Sequence, residues 1–271
     1  MKINFQRNGK IYEVNTTKPI DISIPVHFNG AQPNTYNVPK ATARAYEDGS
    51  FIGDTRRGGS CNFEEYRIIP HCNGTHTECV GHLAFERISV QNVLSSCFIP
   101  AALISLNPVD ASQTEETCQP SAKSGDQLLT RNTIEEALSE NSKSFCEALI
   151  IRTRPNDTAK LTLEYGEPPP PYFTTDAMQF IVQTGVKHLL VDVPSVDRTF
   201  DGGKMTTHHI FWGLPPESHD VNPGSHSLST ITEMIFVPDS IQDGAYLLNL
   251  QIPAFVADAA PSRPILFHLR T

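Results

Sequence analysis

The densest chemistry in the chain lies between Pro70 and His82, a segment reading Pro-His-Cys-Asn-Gly-Thr-His-Thr-Glu-Cys-Val-Gly-His. It gathers three histidines, two cysteines and one glutamate. If the segment is extended, side chains alternate between faces. The even-numbered Cys72, His76, Glu78 and His82 then share one face, and His71, Thr77 and Cys79 point the other way. Thiolate, imidazole and carboxylate are the standard donors for Zn²⁺, and three protein ligands with one open position make a catalytic site. An ion held so would acidify its bound water to a pKa of ~7 and make a nucleophile available at neutral pH. A single buried histidine is ordinarily a hydrogen-bonded core residue, but three beside a glutamate are a different pattern. A structural zinc would call for four ligands and paired C-x₂-C spacing, which the segment lacks. Gly74 matters if the backbone must bend or approach closely there.

These residues need elements to hold them. Tyr12–Val14, Ile20–Val26, Phe98–Leu106, Ala148–Thr153, Val186–Val193, Ala245–Pro253 and Ile265–Leu269 read as strands, the longest apolar runs being interior ones. Asn132–Leu138 and Thr175–Val182 read as helices, the second ending near Gly185 and running into the Val186 strand. The Glu167–Tyr172 stretch carries four consecutive prolines and reads as an extended surface loop inside one domain, residues 1–271. The mixture implies an α/β fold with a mixed, β-rich sheet.

Composition narrows the function classes. The 271 residues carry 21 Lys+Arg against 30 Asp+Glu, a formal net charge of −9, with no basic run. That argues against a nucleic-acid or anionic-membrane partner and for a small-molecule substrate. No apolar stretch is long enough for a transmembrane helix, and the first residues lack the apolar core of a signal peptide. Six cysteines in such a chain read as free thiols in a reducing compartment, so a cytoplasmic location is expected. Cys97, in an apolar run, reads as a buried small hydrophobe. There is no G-x-S-x-G, G-x-x-x-x-G-K or G-x-G-x-x-G pattern, which leaves a serine hydrolase, P-loop enzyme or Rossmann dehydrogenase unsupported.

The Cys72–His82 segment resembles the H-x-G-T-H-x-D-x-P-x-H signature of the metal-dependent cyclase family, which includes bacterial-type kynurenine formamidases and isatin hydrolase. Gly74-Thr75-His76 matches G-T-H and His82 the final histidine. Asp21–Pro25 resembles the family's D-L-S-x-P strand, Asp192–Asp197 its D-x-P-S-x-D loop, Thr207-His208-His209 its A-H-H segment and Ile231–Ile235 its I-x-E-x-L run. The motifs follow in the family's order along nearly the whole chain.

The resemblance implies a swivelling β/β/α domain, a homodimer or homotetramer, and metal-dependent hydrolysis of a small amide or cyclic amide, arylformamides first. It implies that His76 and Glu78 bind metal, with Glu78 at the bridging-carboxylate position, that His208 and Glu233 bind a second ion or sit against the first, and that His82 is the general acid/base. His209 is an alternative ligand or a partner of one. Aligned without a gap, the family's first metal-binding histidine falls on Cys72, which is the expected ligand and favours zinc (one or two ions) over manganese; a one-residue bulge would bring in His71 instead. A cyclase, dehydratase or lactonase using the same ion is the alternative enzyme, and a non-catalytic metal-containing binding protein the third reading.

Overall fold

The computed structural model describes residues 1–270, with backbone only for 140 and 141. Eleven strands form the main sheet: β1 (Lys2–Arg7), β2 (Lys10–Asn15), β3 (Ile20–Asp21), β4 (His76–Cys79), β5 (Phe98–Leu106), β6 (Ala148–Thr153), β7 (His188–Val191), β8 (Thr230–Glu233), β9 (Gly244–Asn249), β10 (Ala259–Pro261) and β11 (Ile265–Arg270). Their order is β1-β2-β11-β9-β5-β6-β7-β8-β4-β10, with β3 paired to β11. The helices that matter below are α1 (Pro70–Asn73), α2 (Arg131–Ala137), α3 (Thr175–Gln183) and α4 (Thr206–Trp212).

Strands β5, β6, β7 and β8 run parallel, and β9 on one side and β4 on the other pair antiparallel. This is the mixed α/β sheet expected from the sequence. These strands are largely buried on both faces, which is why β5, β6 and β7 read as largely apolar runs. Their alternation divides the core. Ala102, Ile104, Leu149, Ile151, Leu189, Val191 and Ile231 face a layer made by α2, α3 and α4, including Ile134, Met178, Ile181, Phe211 and Trp212. Ala101, Leu103, Ala148, Ile150 and Leu190 face the other way, onto Ile22, Ile235, Val237 and Leu250.

Local chemistry sets the boundaries. Helix α3 begins where the Thr174 hydroxyl accepts the Ala177 N–H, has Asp176 in its first turn, and is followed by Gly185 at φ 82°. Strands β1 and β2 are joined by Asn8-Gly9, both at positive φ (50° and 74°), the turn that suits a two-residue hairpin.

Some expectations are corrected. Only Ile20–Asp21 of the Ile20–Val26 run pairs as strand; beyond it Ile24 donates its N–H to the Thr75 hydroxyl rather than to a ladder. Cys97 is exposed, not buried, because it precedes β5 at the sheet's rim, where its carbonyl accepts from Leu250 and Asn249. All six cysteines are free. Among the described residues no helix is long and apolar enough to cross a membrane.

Candidate metal centre and active site

The centre lies where β8, β4 and β10 meet at the sheet's end. Antiparallel pairing sets Glu233 opposite His76 and Ile231 opposite Glu78, while β10 lays Ala259 opposite Glu78. His76 and Glu78, two residues apart on β4, share a face. Thr75 pins the strand's entry: its hydroxyl donates to the Met234 carbonyl and its own carbonyl accepts from Ser262. Gly74 turns the chain into β4 at φ 149°, and a Cβ there would stand 2.9 Å from Val26 Cγ2.

Residues 70–73 are helical, not extended. Proline at the first helical position starts a turn that ends at Gly74. Successive side chains on a helical turn diverge by about 100° rather than 180°, so the parity count holds from His76 to Glu78 and fails before it. His71, not Cys72, therefore comes to Glu78, with Nε2 3.5 Å from Oε2. Cys72 is buried in α1 outside both clusters of converging ligand atoms, its thiol pushed up to about 11 by burial and then by the charge of Glu233.

Two such clusters occur among the described residues, sharing Glu78: His76, Glu78 and Glu233, all buried, and His71, Glu78 and His82, of which only Glu78 is fully so. In the first, the His76 Nδ1 donates to the Gly74 carbonyl at 3.0 Å. Since a carbonyl only accepts, Nδ1 carries a ring hydrogen, and in the neutral ring Nε2 is then the nitrogen with the free lone pair. That Nε2 is buried without a hydrogen-bond partner and faces Glu233 Oε2 at 3.5 Å and Glu78 Oε2 at 4.0 Å. One ring nitrogen and two carboxylates converge in a buried place, and a cation fits that set.

His208 closes the cluster from α4. Its Nε2 lies 3.0 Å from Glu78 Oε1 and 3.7 Å from Glu233 Oε1. Its Nδ1 lies 2.6 Å from Asp197 Oδ2. The same Asp197 carboxylate accepts the backbone N–H groups of Thr207 and His208 at the start of α4, at 2.8 and 3.2 Å. One buried carboxylate thus caps the helix and orients its histidine. Glu233 is held in turn, its Oε1 accepting from Val196 N at 2.9 Å. His209, one residue on, turns away from the centre and lines a separate cavity of about 300 Å³ with Gln179, Lys204 and Glu217.

Electrostatics follow the packing. Burial works to raise the Glu78 carboxyl, but the imidazoles of His82, His208 and His71 outweigh it and hold Glu78 well below the usual carboxylate range. Burial works to lower His208, and Asp197 and Glu78 outweigh it and hold the ring well above the ordinary histidine value.

His82 follows Gly81 in a tight turn, Val80–His82, and is one-quarter exposed. It borders a cavity of about 500 Å³ that is also lined by Tyr36, Ser195, Arg198, Phe200 and Met205. Its ring stacks on His71 at 4.4 Å, and its Nε2 lies 3.9 Å from Glu78 Oε2. Tyr36 and Phe200 meet edge to face at 5.8 Å while remaining substantially exposed, and both hold left-handed backbone angles of 57° and 59°. Sequence reasoning did not single out Asp197, Tyr36 or Phe200 for a role, although Asp197 closes a quoted motif. It missed Asp258 altogether, whose Oδ2 lies 3.3 Å from His82 Nδ1.

The fold and the converging imidazoles and carboxylates define an α/β protein with a candidate cation-binding centre at the end of a mixed sheet. The profile of the Cyclase family, described as "Putative cyclase", matches residues 16–198, and the chain belongs to that family. A kynurenine formamidase from Bacillus cytotoxicus is 24% identical over 250 residues, spanning 91% of this chain and 96% of that protein. Among solved structures, an isatin hydrolase bound to the product analogue thioisatinate aligns with a TM-score of 0.59 at 15% identity, covering 93% of each chain. A "predicted metal-dependent hydrolase" from Bacillus stearothermophilus aligns with a TM-score of 0.58 at 16% identity, over 92% of this chain and 98% of that one. These structural likenesses bear on the fold.

Proposed function

We propose that the protein is a metal-dependent hydrolase of carbon–nitrogen bonds other than peptide bonds, acting on a small amide or cyclic amide, with arylformamides as the first substrate class. The observation that carries this reading is the buried His76 Nε2, without a hydrogen-bond partner, facing the Glu78 and Glu233 carboxylates. In this reading His76, Glu78 and Glu233 hold the ion, and His208 and His71 flank Glu78. When bound, the ion supplies a Lewis acid for the carbonyl and acidifies water near neutral pH. With Cys72 outside the clusters the donors are nitrogen and oxygen, so the thiolate argument for zinc lapses and zinc or manganese, one ion or two, suits the set.

The chain's own groups do the rest. His82, beside the cavity, hands a proton to the leaving nitrogen and takes one from the attacking water. Tyr36 and Phe200 offer aromatic faces at the cavity mouth for a flat ring. The names of the relatives, a kynurenine formamidase and an isatin hydrolase, support N-formyl anilides and fused cyclic amides as the substrates to try first. A homo-oligomer acting on a small molecule in the cytoplasm completes the reading, with the six free thiols in its favour.

The test is a panel of N-formyl anilines, isatins and lactones presented to protein loaded with zinc or manganese. Hydrolysis of an N-formyl aniline or an isatin, lost on chelation and restored by the ion, is the expected result. Turnover of lactones alone would move the assignment to the cyclase, dehydratase or lactonase alternative. No turnover with metal bound would favour a binding protein.

A further inference from the structure

Asp258 belongs to no motif of the sequence and lies beyond the stretch matched by the family profile, residues 16–198. Yet it touches two of the site's histidines. It immediately precedes β10, and its carbonyl accepts the Cys79 N–H at 3.0 Å, which ties it to the end of β4. The turn carrying His82 is drawn tightly against this corner. A Cβ on Gly81 would lie 2.0 Å from the Ile88 carbonyl oxygen and 3.3 Å from Asp258 Cβ. From that position Asp258 Oδ2 is hydrogen-bonded to His82 Nδ1 at 3.3 Å and lies 3.2 Å from His71 Nε2, so one carboxylate oxygen stands against two rings stacked at 4.4 Å.

An ionised carboxylate accepts and does not donate. The His82 nitrogen facing Asp258 is therefore the one that carries hydrogen, and the other, Nε2, faces Glu78 across 3.9 Å. We propose that Asp258 is a positioning residue: by accepting the Nδ1–H of His82 it fixes the tautomer whose Nε2 faces the centre and holds that ring in place on His71. Without Asp258 the ring is free to flip or to place its hydrogen on Nε2, and Nε2 then cannot accept the proton of the attacking water. The kinetic part of this inference rests on the hydrolase reading; the tautomer does not.

The experiment compares wild type with Asp258→Asn and Asp258→Ala. Nitrogen-15 spectra of the imidazoles, with His82 assigned by His82→Gln, read which ring nitrogen carries hydrogen, and elemental analysis reads the metal content of each variant. Wild type should show His82 protonated on Nδ1, and Asp258→Ala should show hydrogen shifted to Nε2 or shared, with metal content unchanged. On the best substrate of the panel, kcat of Asp258→Ala should fall about 10- to 100-fold. KM should stay within about threefold of wild type, the signature of an interaction realised in the transition state. Asp258→Asn, which keeps an acceptor oxygen, should recover part of the kcat loss and the Nδ1–H form. Wild type with hydrogen on Nε2, or an alanine variant with an unchanged His82 spectrum, would overturn the proposal, as would loss of the metal from both variants. If wild type turns over nothing on the panel, the hydrolase reading falls and the spectra alone decide the role of Asp258.

Discussion

Removing the Asp197 carboxylate should separate two jobs that it performs at once. Its oxygens accept the Thr207 and His208 backbone N–H groups at 2.8 and 3.2 Å and stand 2.6 Å from His208 Nδ1. In Asp197→Ala three buried donors lose their acceptor. A single lost cap costs up to about 2 kcal/mol, and each buried donor left unsatisfied about 1–3 kcal/mol. These terms overlap at one helix end, so about 3–5 kcal/mol is the expected fall in unfolding free energy. Asp197→Asn keeps one oxygen for the backbone and loses the charge beside His208, so about 1–2 kcal/mol is expected. Metal affinity should behave differently, because both variants lose the anionic partner of His208, and both should fall about 10- to 100-fold. Urea unfolding of the metal-free proteins reads the first quantity and competition with a chelating dye the second. Equal stability losses in the two variants would refute the capping role. Wild-type metal affinity in both would refute the claim that Asp197 acts on the centre through His208.

Further outcomes follow from other contacts. Burial pushes His188 down from 6.5 to about 4, with its Nδ1 against the Thr230 hydroxyl. The folded ring stays neutral where the unfolded one takes a proton, so this contribution is complete above the unfolded value and is lost as pH falls toward the folded one, about 2–4 kcal/mol in all. His188→Gln should therefore lose less stability than wild type between about pH 7.5 and about pH 5; parallel losses would contradict it. Gly74→Ala should destabilise by about 1–3 kcal/mol from the backbone angle and the Val26 contact. Adding Val26→Ala should return only the contact's share in urea unfolding, and full recovery would rule out the backbone part. Cys72→Ala should keep metal and turnover, whereas His71→Ala should weaken both; the reverse pattern would restore the thiolate reading.

Legibility in the sequence tracked how local each determinant is. Strands β5 and β6 could be read because strands buried on both faces carry largely continuous apolar runs, here residues 99–104 and 148–151. His76 and Glu78 share a face because they stand two positions apart in true strand, and Glu233 and His208 entered through short ordered motifs. The extended reading that put Cys72 on the shared face broke down over four residues: a proline-started turn too short to show a helical period stands there instead. Asp258 was invisible for another reason. A lone aspartate in a C-terminal stretch acquires meaning only when β10 pairs with β4, and that pairing joins segments far apart in the chain. Cys97 was misplaced because an apolar run does not reveal where the sheet's rim falls.

The central claim is that an ion belongs among His76, Glu78 and Glu233. Anomalous diffraction from crystals of active, metal-loaded protein, recorded at the zinc and manganese edges, tests it most directly. A peak bounded by His76 Nε2 and the two carboxylates, absent in His76→Ala, is the predicted result. Active protein without a peak there, or with its ion on the Cys72 thiolate, would contradict it.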